Sequence, residues 1–172
     1  MTEDMLDTLI PMVVKGLMLD PTSNVPIVLL REAEGDAFLP IWIGVFEANA
    51  IALRLESVDS PRPLTHDLLA TIIEAVEAAV VRVVISDLSE STFYAQVVIR
   101  HDGLETAHEQ HIDARPSDAV ALALRTDAPI YVAPRVFARA RQINSDGDRP
   151  TDEQLRQWLE EIDPKELGEY EM

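Results

Sequence analysis

Cysteine is absent from this chain of 172 residues, which excludes disulfide bonds, thiolate metal sites and cysteine nucleophiles. Apolar residues make up 47% of the chain, yet no apolar run approaches the roughly 20 residues that a membrane-spanning helix needs. The first residues, MTEDMLDTLI, include acidic side chains and no basic one, which argues against a signal peptide. These absences together predict a cytoplasmic protein with no membrane partner.

The signatures of several enzyme classes are also missing. The sequence contains no glycine-rich phosphate loop, no HExxH zinc motif and no paired-cysteine site. Ser117 lacks the Gly-x-Ser-x-Gly surroundings of a hydrolase nucleophile, and no histidine partner is evident in the sequence. We therefore interpret Ser117 as a helix cap and not as a nucleophile.

Basic residues are few, with 14 Lys and Arg against 31 Asp and Glu, so the formal net charge is −17. Such a field repels polyphosphate at long range, although salt screens it beyond about 8 Å. Tight, non-specific binding to duplex nucleic acid is therefore not expected. Weak binding of single-stranded or structured DNA or RNA, through a local basic patch or a bridging Mg²⁺, is still compatible with this charge.

The hydrophobic pattern predicts an α+β fold: a single compact domain with a mixed or antiparallel sheet, helices and a further C-terminal helix. We place the domain at residues 1–135, a linker at 136–150 and a helical appendage at 151–172, with Thr151 as N-cap of the last helix. A helix from Thr65 to about Val80 is expected, with one apolar face. Trp158 in the appendage needs a surface to bury against, either the main domain or another subunit.

The element order β-β-β-α occurs twice, which suggests two duplicated units. AIALR at 50–54 lies 71 positions before ALALR at 121–125, and the same offset aligns Glu47 with Asp118. Duplication is one explanation, and chance similarity between apolar segments is the other. The predicted helices carry more apolar surface than one small sheet can cover, which predicts a homo-oligomer.

Two helix starts place an Arg-Pro pair shortly before an Asp, in PRPLTHDLL at 61–69 and in ARPSDAVALALR at 114–125. Unpaired N–H groups at such positions form anion sites readily, so Arg62 and Arg115 are candidate anion receptors. Both could instead pair with neighbouring acids. His66 could act as general base, metal ligand or phosphate contact, or it could pack its ring on Pro63 with no functional role.

Four acids lie where helices begin or strands end: Glu47, Asp67, Asp113 and Asp118. Grouped carboxylates can hold Mg²⁺ or Mn²⁺, which prefer oxygen ligands. Acids in the first helical turn also stabilise the helix dipole without any further function. A metal site requires at least two of these carboxylates within about 4–5 Å of a common point.

Five segments resemble the bifunctional nuclease family, formerly a domain of unknown function: LPIWIG (39–44), PRPLTHDLL (61–69), TFYAQVVI (92–99), ARPSDAVALALR (114–125) and APIYV (128–132). The matching segments keep their order over roughly residues 12–135. The resemblance implies a compact α+β domain and nuclease activity on DNA and RNA.

Within the matching motifs we nominate residues for three roles. The catalytic candidates are His66, Asp67, Asp118 and Glu47; the substrate-binding candidates are Arg62, Arg115 and Ser117; the ligands for Mg²⁺ or Mn²⁺ are Asp113, Asp118 and Glu47. The competing hypothesis is a non-enzymatic, oligomeric binding or regulatory module for a small anionic ligand or a protein partner.

Overall fold

The computed structural model describes residues 8–101, 108–145 and 150–161. Its strands are β1 (Ile10–Leu19), β2 (Pro26–Glu32), β3 (Phe38–Trp42), β4 (Ala78–Ser89), β5 (Thr92–His101), β6 (Glu109–Ala114) and β7 (Ile130–Val132). Its helices are α1 (Val45–Leu55), α2 (Thr65–Ala75), α3 (Pro116–Thr126), α4 (Pro134–Ser145) and α5 (Asp152–Glu161). Over this part of the chain, no helix is long and apolar enough to cross a membrane.

All seven strands form one mixed sheet in the order β3-β2-β1-β7-β4-β5-β6. Neighbours pair antiparallel except β4 and β7, which pair in parallel. The predicted α+β fold of a single domain is confirmed. On one side of β7 lie β1, β2 and β3, which are followed along the chain by α1. On the other side lie β4, β5 and β6, which are followed along the chain by α3. This shared order does not establish duplication, which stays a prediction.

The sheet has two covered faces because apolar residues fill both sides of its central strands. On β2, Val28 and Leu30 belong to the main core with α1 and α3, while Ile27 and Leu29 belong to a second cluster with Leu155 of α5. We call these the helix face and the α5 face. Along α3, buried residues occur on nearly every side, because this helix packs against α1, α2 and the sheet.

Helix α5 covers one half of the α5 face. Its N-cap is Thr151, as predicted: the Gln154 N–H donates to Thr151 Oγ1 at 3.3 Å, and the Thr151 N–H donates to Gln154 Oε1 at 2.9 Å. This reciprocal pair is a capping box. Trp158 packs partly buried against the cluster around Leu155, so it buries against its own domain. The rest of the predicted appendage, 162–172, lies outside the described residues, as do residues 1–7.

Helix α2 is shorter than predicted. It ends at Ala75, and Glu77 adopts a left-handed φ of 57° that turns the chain into β4, so no helix reaches Val80. Its predicted apolar face is largely open to solvent: Leu68, Leu69, Ile72 and Val76 are all exposed. Only the inner side, with Ala70 and Ile73, packs against the main core.

The segment predicted as a linker, 136–150, is largely helical. Helix α4 occupies Pro134–Ser145, and its Val136 and Ala140 are buried in the main core. Their i, i+4 spacing gives the helix a narrow apolar stripe, which the arginines and other polar residues around it mask in the sequence. Residues 146–149 of the predicted linker lie outside the described residues. The division into a domain at 1–135 and an appendage at 151–172 stays a prediction.

Candidate active site

Two helix starts open onto the same cavity. Helix α1 begins at its N-cap Gly44 directly after β3, and α3 begins at its N-cap Arg115 directly after β6. Because α1 and α3 pack side by side, both N-termini reach a cavity of about 470 Å³. Aromatic and polar residues line it, among them Trp42, Phe93 and Ser117. Unpaired N–H groups at helix N-termini favour negatively charged ligands, so this is a suitable place to hold an anion.

Arg115 lies between two carboxylates at this cavity. Its Nη1 donates to Glu47 Oε1 at 2.8 Å, while its Nε and Nη2 donate to the two oxygens of Asp118 at 2.7 and 3.2 Å. Hydrogen bonds from Arg115 to Asp118 and then to Glu47 raise the pKa of the guanidinium above its usual value, so the cation is permanent. The side chain is nevertheless 65% exposed. Arg115 is therefore held in place and still accessible to a ligand.

His66 completes the cluster from the first turn of α2. Its Nε2 lies 2.9 Å from Asp118 Oδ1, and its side chain is only 11% exposed. Burial alone would raise the pKa of Asp118, but hydrogen bonds from Arg115 and His66 outweigh burial and lower it. An ionised carboxylate only accepts hydrogen bonds, so Nε2 carries the proton and the Nδ1 of a neutral ring keeps its lone pair. This is the arrangement of a histidine oriented by a carboxylate.

Gly44 allows Glu47 to take its place beside Arg115. A Cβ atom at Gly44 would lie 2.1 Å from Glu47 Oε2, so the carboxylate folds back over the space that a side chain would fill. Gly44 belongs to the LPIWIG segment, but it is not among the residues nominated from the sequence. The one available signal was a glycine immediately before a helix with an acid in its first turn.

Asp67 forms a separate ion pair. Its Oδ1 accepts from Arg125 Nε at 2.5 Å, and its Oδ2 accepts from the Leu64 N–H at 2.8 Å. That backbone hydrogen bond is the main cause of the lowered pKa of Asp67; burial opposes it, and Arg125 adds to it. Arg125 also donates to the carbonyl oxygens of Ala121 and Ala50, and its side chain is only 6% exposed. Each of the three guanidinium nitrogens thus donates to the protein, and this pair joins α2, α3 and α1.

Of the other nominated residues, the structure brings only Ser117 near the cluster. Ser117 is buried in the cavity wall; the N-cap is Arg115, so the interpretation of Ser117 as a cap is wrong. The helix predicted from Thr65 begins there, and its N-cap is Leu64. Arg62 is exposed in the turn before α2, and within the described residues it has no hydrogen bond or ion pair.

Asp113 points away from the cluster. It pairs with Gln96 across β5 and β6, while the adjacent pair, Ala95 and Ala114, faces the main core. Because side chains alternate along a strand, Asp113 lies on the α5 face of the sheet. The structure therefore does not bring it together with Glu47 and Asp118.

The carboxylates as arranged do not fit a divalent cation. Within the ranges that the structure describes, no three His, Asp or Glu side chains form a group that could hold a metal. Glu47 and Asp118 do meet at a common point, but the cation between them is the guanidinium of Arg115. Both oxygens of Asp118 and Oε1 of Glu47 are thus already paired with the guanidinium. Dependence on Mg²⁺ or Mn²⁺ stays a prediction.

Comparison with known proteins identifies similar sequences. The family described as the bifunctional nuclease domain matches residues 28–145. An uncharacterized protein of Mycobacterium tuberculosis, found in strains H37Rv and CDC 1551, is 41% identical over 163 residues, which cover 90% of this chain and 95% of that protein. Bifunctional nuclease 1 of Oryza sativa subsp. indica is 27% identical over 117 residues, which cover 68% of this chain and 35% of the rice protein.

Proposed function

Because this chain belongs to the bifunctional nuclease domain family, we propose that it hydrolyses phosphodiester bonds of DNA and RNA at the cluster of Arg115, His66, Asp118 and Glu47. The observation that carries the proposal is an exposed, permanently charged arginine at a cavity reached by two helix N-termini, beside a buried histidine that bonds a partly exposed aspartate. No other cluster in the described ranges combines these features.

Arg115 and the helix N-termini would bind the phosphate. The exposed guanidinium edge can donate to a phosphate oxygen, and such a contact is stronger in the transition state, where negative charge develops on the phosphoryl oxygens. Glu47 holds Nη1 and so fixes the plane of the guanidinium. Ser117 in the cavity wall and the exposed Arg62 stay candidate substrate contacts.

His66 would activate the attacking water. Its Nδ1 accepts a proton as the water oxygen forms a bond to phosphorus, the bond from phosphorus to the leaving oxygen breaks, and that oxygen takes a proton from solvent. Asp118 fixes the tautomer through Nε2 and stabilises the imidazolium that forms.

One property of the cluster favours the predicted metal ion, and another opposes it. With His66 neutral, one arginine and two carboxylates leave the cluster with a formal charge of −1, which disfavours a phosphate unless a cation accompanies it. Against this, Arg115 already bonds three of the four carboxylate oxygens, both of Asp118 and Oε1 of Glu47. No step above therefore uses a metal, and an assay in Mg²⁺, Mn²⁺ or EDTA tests the predicted dependence.

The decisive comparison uses wild type, Asp118→Asn and, as matched control, Asp113→Asn, purified identically and assayed on single-stranded DNA and on RNA. Asp118→Asn should lower kcat by about 10²- to 10⁴-fold, because the His66 ring loses its orienting charge. Asp113→Asn removes an equivalent carboxylate on the opposite face of the sheet and should leave cleavage unchanged. Equal cleavage by all three proteins would mean that the activity comes from another site or from a contaminant.

The exposed face of α2 favours the second candidate function, an oligomeric binding module. Leu68, Leu69, Ile72 and Val76 form an apolar surface that nothing in the described chain covers. Contiguous exposed apolar surface commonly marks a protein interface. The predicted homo-oligomer would bury this face; Ile72→Glu would then produce a smaller species by light scattering. An unchanged molar mass would exclude this face as the interface.

A further inference from the structure

Phe46 is the most exposed large apolar side chain among the described residues, at 88%. It lies in the first turn of α1, whose buried residues, Ala48, Ile51 and Ala52, face the core on the other side. Its neighbour Val45 is also exposed. A single exposed apolar residue is ordinary on a protein surface. An almost fully exposed phenyl ring beside a binding cavity, however, suggests a contact with a ligand or partner.

The position of Phe46 relates it to the proposed phosphate site. The next residue, Glu47, bonds Arg115, and adjacent Cα atoms lie about 3.8 Å apart. Gly44, two residues earlier, lines the cavity together with Arg115. Phe46 therefore lies in the same helical turn as Glu47, the residue that bonds Arg115, and so next to the proposed phosphate site.

We propose that Phe46 is a stacking platform for one unpaired nucleobase of the strand whose phosphate lies at Arg115. The inference rests on the proposed function and adds a requirement for single-stranded substrate at this position. Counterion release contributes in proportion to the phosphates that basic side chains neutralise, and Arg115 is the one basic residue that lines the described cavity, so this contribution is small. Base–aromatic stacking needs no net charge and tolerates any sequence, whereas bases within a duplex stack on each other and cannot use the ring.

The test is a double-mutant cycle between Phe46 and the base. Oligonucleotides with one abasic residue, placed in turn at each position around the cleaved bond, are compared for wild type, Phe46→Ala and Phe46→Tyr. For wild type, one abasic position should raise KM on the order of 10-fold. Phe46→Ala should raise KM equally on the intact strand and respond no further to that abasic position. Phe46→Tyr should restore the wild-type pattern.

Tyr94→Ala is the matched control, because Tyr94 is an exposed aromatic residue between two core-facing neighbours and thus lies on the α5 face. It should leave KM unchanged at every abasic position. The dependence of KM on salt should also stay unchanged in Phe46→Ala, since no phosphate contact is lost. A general loss of folding would change kcat and KM without regard to the abasic position.

Several results would overturn the inference. One is an unchanged KM in Phe46→Ala, and another is that the effects of Phe46→Ala and of the abasic residue on KM are additive. A change in oligomeric state with an unaltered KM would also overturn it, because the ring would then contact a second copy of the chain. The proposed function fails separately. If Asp118→Asn cleaves normally while the cycle at Phe46 shows coupling, the base contact stands and the catalytic assignment does not.

Discussion

Arg115 and Arg125 lie at the two ends of α3, and each pairs with an aspartate in the first turn of a helix. The two ion pairs nevertheless differ in whether the arginine is accessible to a ligand. Arg125 is almost fully buried and directs its donors to Asp67 and to two backbone carbonyls, whereas Arg115 is two-thirds exposed at a cavity beside His66. Exposure of the arginine, and not the motif around the aspartate, separates a structural pair from a candidate reaction site.

The largest expected effect concerns stability at the buried pair. Arg125→Ala should lower the free energy of unfolding by about 3 kcal/mol, because it strips Asp67 of its partner and removes the side-chain hydrogen bonds to the carbonyls of Ala121 and Ala50. Urea denaturation measures the change. Arg62→Ala, an exposed arginine, should change stability by less than about 0.5 kcal/mol. A loss in Arg125→Ala no larger than that of the control would remove the structural role assigned to this pair.

A smaller effect is expected where Glu47 packs on Gly44. In Gly44→Ala the new methyl group displaces the Glu47 carboxylate from Arg115, and we expect kcat/KM to fall on the order of 10-fold. Gly35→Ala is a close control, since a Cβ there would lie 2.2 Å from Glu32 Oε2, away from the site. That variant should cleave normally. If both variants lost the same activity, the position of Glu47 would not matter.

The smallest effect is on the pH dependence of stability. The pKa of Asp67 is lowered in the folded protein, so near this pKa the unfolded chain binds more protons, and stability rises with pH. Its contribution is complete above about pH 4 and is lost as the pH falls through the folded-state value. Asp67→Asn should therefore flatten the acid limb of unfolding free energy against pH. A steeper limb in Asp67→Asn would mean that folding raises the pKa of Asp67 instead of lowering it.

Much of the fold could be predicted because it depends on local patterns. Alternating apolar residues indicated the strands, and the Thr151-x-x-Gln154 capping box marks the start of α5. The helix starts that hold Arg115, Asp118 and His66 were also identified from the sequence. What the sequence could not show was which arginine stays accessible, since exposure depends on how α2 lies across α3.

The predictions that the structure contradicts also concern features that depend on tertiary packing. The side of the sheet on which Asp113 lies follows from the register of β5 and β6, which a single residue of shift would reverse. The open face of α2 looks in sequence like any buried amphipathic face, because periodicity shows that a face is apolar and not what covers it. Helix α4 was missed because only a narrow stripe, with Val136 and Ala140, enters the core.

The account depends most on Arg115, and kcat/KM of Arg115→Lys on single-stranded DNA tests it most directly. A lysine keeps the charge but cannot bond Asp118 through two nitrogens and Glu47 through a third. We predict a fall in kcat/KM of about 100-fold or more, with the free energy of unfolding within about 1 kcal/mol of wild type. A value of kcat/KM within about twofold of wild type would contradict the assignment of this cluster as the reaction site.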